Sequence, residues 1–453
     1  MWFLGVDIGT THIKVVGIAE DGTVLEPLRV RTPVTVAHGL AFHNGDDCWA
    51  AVAELTARYA DGPAAGHGAL AAVAVATFGQ EEAFPVDADG VPLFDSLAWW
   101  ECWPERSLAP SVADELDSFE HYRVSGMRFR DNQSPDRIAH IQRNHPELWT
   151  RVQGWVDVGT YVSWKLSGEW VAASSQITHS QFFDLTDLRP HERSLQLLGL
   201  SPSLFPRVAR PGDRIGGIRP GALPGVDIAQ DAAVYVGGHD QVIAAYANDR
   251  HGGPAVIDSI GTAEYVMMRS RNLEISEPLY HLGADVEHGW EAGELILGWG
   301  LPTGKVLQLL ADLFFAGDYE ALLDVVAAES APSTISFRVN DLRDPDAGLI
   351  TIGRIPAGVS AAEVVGSAVG QLSAEIRDAV SLMARLAGTS IDSVALTGSL
   401  FQRPQLVSHR ERLWPWPLAV SNLAEAVATG AAELARNSHV AAGRKKSDAE
   451  VSR

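Results

Sequence analysis

The same short turn occurs at two places 252 residues apart in this chain. Ile8-Gly9-Thr10-Thr11 joins the apolar run Trp2–Asp7 to Ile13–Ala19, and Ile260-Gly261-Thr262-Ala263 joins Ala255–Ile260 to Tyr265–Met268. Each reads as strand, tight turn and second strand. A shared Ile-Gly-Thr tripeptide alone says little. A shared strand–turn–strand frame predicts two related domains, and 453 residues are enough for them at roughly 100–200 residues per domain.

The segments around the two hairpins alternate between periods. Asp46–Tyr59, Ser134–Asn144 and Val158–Leu166 carry helical spacing, whereas Ala69–Thr77 is an apolar strand running into Phe78-Gly79-Gln80-Glu81-Glu82. Arg207–Val226 is rich in Gly and Pro and is expected to be a linker, dividing the chain into domains 1–226 and 227–442. Beyond it come a strand at Ala232–Val236, the turn Gly237-Gly238-His239-Asp240, and helices at Lys305–Leu313, Ala362–Ala387 and Glu425–Ala435. A strand at Ser393–Thr397 precedes Gly398. The polar tail 443–453 is expected to fray. Strands alternating with helices in both halves predict an α/β fold.

Charge narrows the ligands. With 35 Lys and Arg against 57 Asp and Glu, the net charge is −22, which excludes nucleic acid or an anionic membrane as the main partner. A phosphate-bearing ligand must then be held by backbone N–H groups, hydroxyls and a metal. Cys48 and Cys102 are the only cysteines, which points to a reducing, cytoplasmic compartment. Met1–Asp7 does not read as a signal peptide, and no apolar run reaches the roughly 18 residues of a membrane span. The 15 histidines show no metal-ligand spacing, so no structural zinc site is expected.

Asp7-Ile8-Gly9-Thr10-Thr11 places a carboxylate at a strand end, followed by a turn of N–H and hydroxyl donors. Such a loop suits a phosphate tail, with Asp7 on a hydrated Mg²⁺ and Lys14 adding charge. Read without context, it is equally an ordinary glycine hairpin. Asp240, behind two glycines, suits a general base that approaches a small polyol, and alone it also reads as a helix-capping residue.

Taken together and in this order, these segments resemble the FGGY carbohydrate kinases, sugar and polyol kinases of the actin-like superfamily. Asp7–Thr11 and Gly261-Thr262 stand at the family's two phosphate loops, Gly79–Glu82 at its Gln-containing substrate loop, and Trp100-Glu101-Cys102 at its Trp loop. Tyr161–Glu169, Ser175–Thr186 and Gly237-Gly238-His239-Asp240-Gln241 match further segments. The resemblance implies two actin-like (ribonuclease H-like) domains with an interdomain cleft for ATP and sugar. It implies Asp240 as catalytic base, and Gln80, Glu81, Glu82, Trp100, Asn132, Asp240 and Gln241 as substrate residues. ATP would use Thr10, Thr11, Lys14, Gly261, Thr262, Gly304, Gly398 and Ser399, with Mg²⁺ on Asp7. The acceptor would be a ketose such as xylulose or ribulose, or a polyol such as glycerol or erythritol; a homodimer is an open expectation. Gly398-Ser399-Leu400-Phe401 departs from the family's Gly-Gly plus small residue. That departure supports the alternative, a non-catalytic sugar or nucleotide sensor retaining the kinase fold.

Overall fold

The computed structural model describes residues 1–79, 81–328, 334–340 and 348–451, with side chains through Arg444. The first hairpin forms as β1 (Trp2–Ile8) and β2 (His12–Ala19), followed by β3 (Leu28–Arg31) and the helix α1 (Gly45–Asp61). Asn44 caps α1, its side-chain oxygen accepting from the N–H groups of Asp46 and Asp47. Then come β4 (Leu70–Thr77), α2 (Val158–Ser167), β5 (Arg214–Gly217), β6 (Ile228–His239) and α3 (Asp240–Arg250).

These strands make one sheet in the order β5-β6-β4-β1-β2-β3. β1 pairs parallel with β4, and β4 parallel with β6, while β2 and β5 run antiparallel to their neighbours β1 and β6. The fully buried run Leu70–Thr77 is what a central parallel strand, covered on both faces, requires.

The second hairpin is β7 (Val256–Ile260) and β8 (Glu264–Ser270), followed by β9 (Asp285–His288) and β10 (Leu295–Leu301). Helices α4 (Thr303–Phe315) and α5 (Ala361–Ala387) precede β11 (Val394–Thr397) and β12 (Leu418–Val420). The sheet order is β9-β10-β8-β7-β11-β12. An antiparallel pair continued by a parallel strand, β2-β1-β4, thus recurs as β8-β7-β11. α5 starts at a full capping box, Ser360 with Glu363, and ends on Gly388 in the left-handed region. The last helix, α6, runs over Ala426–Val451.

Two expectations change here. The segment Arg207–Val226 is not a linker, because β5 lies within it and pairs with β6, and Ile215 and Leu223 are buried in the first core. Residues 1–250, 287–294 and 423–453 form one unit and 251–286 with 295–422 the other, so Asp240 belongs with the first hairpin. The helix expected to stop at Ala435 continues to Val451, so the tail is helical along its backbone rather than frayed.

The C-terminal helix completes the first unit by lying directly on β1. Ala428, Ala431, Ala432 and Ala435 are buried, and a Cβ built on Gly5 would sit 1.9 Å from the Ala428 carbonyl oxygen. Small residues on both sides let the two backbones touch. Gly5→Ala therefore has no side chain to push aside, only backbone. It should destabilise the protein by more than about 1–3 kcal/mol, seen as a lowered denaturation midpoint with unchanged slope.

Candidate active site

Strand register builds the first site. In the parallel trio β1, β4 and β6, Ile8 pairs with Thr77 and Thr77 with His239, so the strands end level with one another. Asp7, Gly79 and Asp240 therefore lie at the same carboxyl edge, the usual place for ligands in an open α/β sheet. The glycines before Asp240 are required by packing rather than by access for a polyol. A Cβ on Gly237 would meet the Val75 carbonyl oxygen at 2.0 Å, and Gly238 has φ +142° with Ser175 Oγ 2.4 Å from its Cβ position.

Asp7 and Lys14 are cross-strand partners in the hairpin, so their side chains share a face. Lys14 Nζ lies 3.5 Å from Asp7 and 2.8 Å from Glu425. Glu425 itself sits at φ +45°, a conformation costly for a non-glycine residue. Burial pushes the Asp7 carboxyl up to about 7, Lys14 pulls it down, and nearby Asp240 adds repulsion. Thr10 Oγ1 accepts the Trp99 indole N–H at 3.0 Å, while Thr11 is exposed.

Asp240 ends a continuous chain of acid and imidazole groups. Glu81 Oε1 lies 3.0 Å from His179 Nδ1, and His179 Nε2 lies 3.0 Å from Glu287 Oε1. Glu287 Oε2 is 2.8 Å from His239 Nδ1, and His239 Nε2 is 3.3 Å from Asp240 Oδ1. Burial drives Asp240 above the ordinary aspartate range, with His239 opposing. For Glu81 and Glu287 burial also acts upward, but His179 outweighs it at Glu81, and His239 with His179 at Glu287, and both carboxyls fall to about 2. The Asp240 side chain keeps 21% of its surface exposed, so it is the member of the chain open to a ligand.

The other expected substrate residues fare differently. Gln80 lies outside the described residues. Glu82 is fully buried; Oε1 accepts the Trp99 N–H at 3.0 Å and Oε2 is paired with His43 Nδ1. Its carboxylate is thus occupied by protein. Trp100 stands edge-on to His43, with ring centroids 5.7 Å apart. Asn132 donates to the Trp99 carbonyl at 2.5 Å, and its Oδ1 is buried without a hydrogen-bond partner. Gln241 donates its N–H to Asp240 Oδ1 at 2.6 Å.

Sequence reasoning missed His43, Trp99, His179, His239 and Glu287 as site residues. His239 was legible inside the Gly-Gly-His-Asp turn and His179 inside the segment Ser175–Thr186. Glu287 carried no local signal, since only the fold of segment 287–294 within the first unit delivers it.

In the second unit the expected nucleotide residues surround its own Ile-Gly-Thr turn. A Cβ on Gly304 would meet the Gly261 carbonyl oxygen at 2.0 Å, and one on Gly398, at φ +88°, the Ile260 carbonyl oxygen at 2.3 Å. The Lys305 N–H donates to the Thr262 carbonyl at 3.1 Å, seating the start of α4 on that turn. Ser399 is exposed, and Thr262 likewise. Phe401 turns into the core of this unit, 2% exposed, with the Arg410 guanidinium 5.8 Å from its ring. Its bulk is spent on packing.

Residues 2–247 match the family model described as FGGY family of carbohydrate kinases, N-terminal domain. The chain belongs to the FGGY family of carbohydrate kinases. Among its FGGY relatives, the L-fuculokinase of Escherichia coli (strain K12) is 23% identical over 320 residues, covering 70% of this chain and 66% of that protein. The xylulose kinase structure from Rhodospirillum rubrum superimposes with a TM-score of 0.84 at 17% identity, over 96% of this chain and 89% of that one. The ligand-bound xylulose kinase from Lactobacillus acidophilus gives 0.83 at 17% identity, over 96% and 89%. These structures establish the FGGY fold for this chain. Among the described residues no helix is long and apolar enough to cross a membrane.

Gly398 offers a direct check on the second turn. Gly398→Ala adds a left-handed penalty of about 1–2 kcal/mol to an overlap with backbone, and should lower the urea midpoint. Gly443→Ala, inside α6 with nothing near its Cβ, should instead keep or raise the midpoint, by up to about 1 kcal/mol of helix propensity.

Proposed function

We propose that this FGGY-family chain transfers the γ-phosphoryl group of ATP to a hydroxyl of a small sugar or polyol. The observation that carries the reading is Asp240: a raised, partly exposed carboxylate on the sheet edge that also presents Asp7 and the Thr10 turn. A carboxylate made more basic by burial takes a proton from an alcohol better than an ordinary one.

In this reading Asp240 accepts the proton of the attacking hydroxyl as its oxygen bonds to the γ-phosphorus and ADP departs. Thr10 and Thr11 offer hydroxyl and N–H donors to the phosphate tail. Gly261, Thr262, Gly304, Gly398 and Ser399 of the second unit are assigned to the nucleotide, the glycines by holding the Ile260–Thr262 turn in shape. On the sugar side, Asn132 Oδ1 is an acceptor for one hydroxyl, Trp100 offers an apolar face, and Gln80, Glu81, Glu82 and Gln241 complete the assignment. Glu81 and Glu82 act there through His179 and Trp99, which they hold in place.

The residues fit Mg²⁺. Asp7 is 4% exposed, its carboxyl is lifted to about 7 by burial, and Lys14 is shared with Glu425, so a divalent cation would supply the missing positive charge. Bound there, Mg²⁺ would screen the phosphate charges during transfer. Phe401 lies in the core rather than on the loop surface, so the departure at Gly398–Phe401 gives the sensor alternative no steric support.

The test is ADP release over ketoses, aldoses, aldonates and polyols, including the sugar of the L-fuculokinases, xylulose, ribulose, glycerol and erythritol. At least one should be phosphorylated, and Asp240→Asn should lower that turnover by at least about 10²-fold while still binding Mg·ATP. Wild-type turnover in Asp240→Asn would remove Asp240 from the reaction. No acceptor across the panel would favour the sensor.

A further inference from the structure

The kinase reading uses Asp240 but leaves unexplained why two buried histidines and a buried glutamate stand behind it. His179, His239 and Glu287 each bring one ligand atom within 4.8 Å of the others, and all three side chains are at least nine-tenths buried. The imidazole rings lie 4.8 Å apart at 70°, and each brings a ring nitrogen to within 3.0 Å of the Glu287 carboxylate. His179 Nε2 is the informative atom. It is buried and only 3.0 Å from Glu287 Oε1, without a well-aligned hydrogen bond between them. A buried nitrogen–oxygen pair this close can share a proton or, with that proton displaced, a cation.

The outer ring nitrogens complete the pattern. His179 turns Nδ1 to Glu81 at 3.0 Å, and His239 turns Nε2 to Asp240 at 3.3 Å. Metal-ligating histidines almost always pair their second nitrogen with a carboxylate, carbonyl or water, which fixes the ring and makes the ligating nitrogen a better donor. Here each ring has a carboxylate on its outer nitrogen and Glu287 on its inner one.

We propose that His179, His239 and Glu287 form a binding site for a divalent transition-metal ion of the zinc type, separate from the Mg²⁺ assigned to Asp7. Two imidazoles and one carboxylate select Zn²⁺ and its neighbours over Mg²⁺, which takes oxygen ligands and keeps its waters. Three protein ligands leave a fourth position for water or a ligand oxygen. The spacing of these residues, 60 positions from His179 to His239 and 48 more to Glu287, explains why no zinc pattern is visible in the sequence.

The full-length protein, stripped with chelator and dialysed, is titrated with Co²⁺ by visible absorption and with Zn²⁺ against a chromophoric chelator. The site predicts saturation at one ion per chain, with Zn²⁺ displacing Co²⁺. His179→Gln and Glu287→Gln should each weaken uptake by more than about 100-fold, and Glu81→Gln by roughly 10–100-fold, with folding of each variant checked by circular dichroism. Asp7→Asn should retain full Co²⁺ uptake while losing Mg·ATP-dependent turnover, which keeps this inference separable from the kinase reading. Absence of stoichiometric uptake by the wild-type protein overturns the proposal, and the cluster is then a proton-linked ion network. Uptake that survives in folded His179→Gln and Glu287→Gln, or that is lost in Asp7→Asn, also overturns it by placing the ion elsewhere.

Discussion

Three parallel strands ending level with one another create the central physical problem of this protein. Because Ile8, Thr77 and His239 are in register, Asp7, Glu81 and Asp240 emerge together at a buried sheet edge. Like charges in such a place repel, and burial alone would protonate them. The fold answers each one differently. Lys14 bridges Asp7 to Glu425, His179 holds Glu81 and Glu287, and His239 lies between Glu287 and Asp240. Glu81 and Glu287 are strongly acidic as a result, while Asp7 and Asp240 stay raised. The two carboxyls that remain under-compensated are those assigned to the cation and to the substrate proton.

The acidic composition has a definite meaning in this light. With a net charge of −22 the chain has no field of lysines for a triphosphate. The donors around its turns are backbone N–H groups and threonine hydroxyls, and the second turn is shaped by Gly304 and Gly398 pressing on it from outside. Neither glycine needs to touch a nucleotide to matter. Each is required because a Cβ would collide with the carbonyl oxygens of residues 260 and 261.

The hairpins were legible in the sequence because each has period-2 apolar runs meeting at a short glycine turn, and their bounds agree within a residue or two. Long helices such as Ala361–Ala387 were equally readable from their period, within a residue at the start. Arg207–Val226 misled because Gly and Pro mark an edge strand with turns as readily as a linker, and only pairing with β6 distinguishes them. The helix beyond Ala435 was missed because its polar residues carry no apolar stripe, although the backbone continues to Val451. At the site, Asp7, Thr10 and Asp240 were singled out from motifs, and β1 and β6 carry Asp7 and Asp240 to one sheet edge. Glu287 and His43 were not, since their roles come from tertiary contacts 48 and 39 residues away in sequence. Glu82 was singled out as a substrate residue, and a sequence does not show that Trp99 and His43 already occupy its carboxylate.

The central claim is that an acidic, buried edge binds a triphosphate only together with its cation. Calorimetric titration of the protein with ATP, once in excess Mg²⁺ and once in excess EDTA, tests this most directly. The account predicts saturable one-to-one binding with Mg²⁺ and loss of at least about 10-fold in affinity, or 1.4 kcal/mol, without it. Equal affinity in EDTA would contradict the account, since the triphosphate would then be held without its cation.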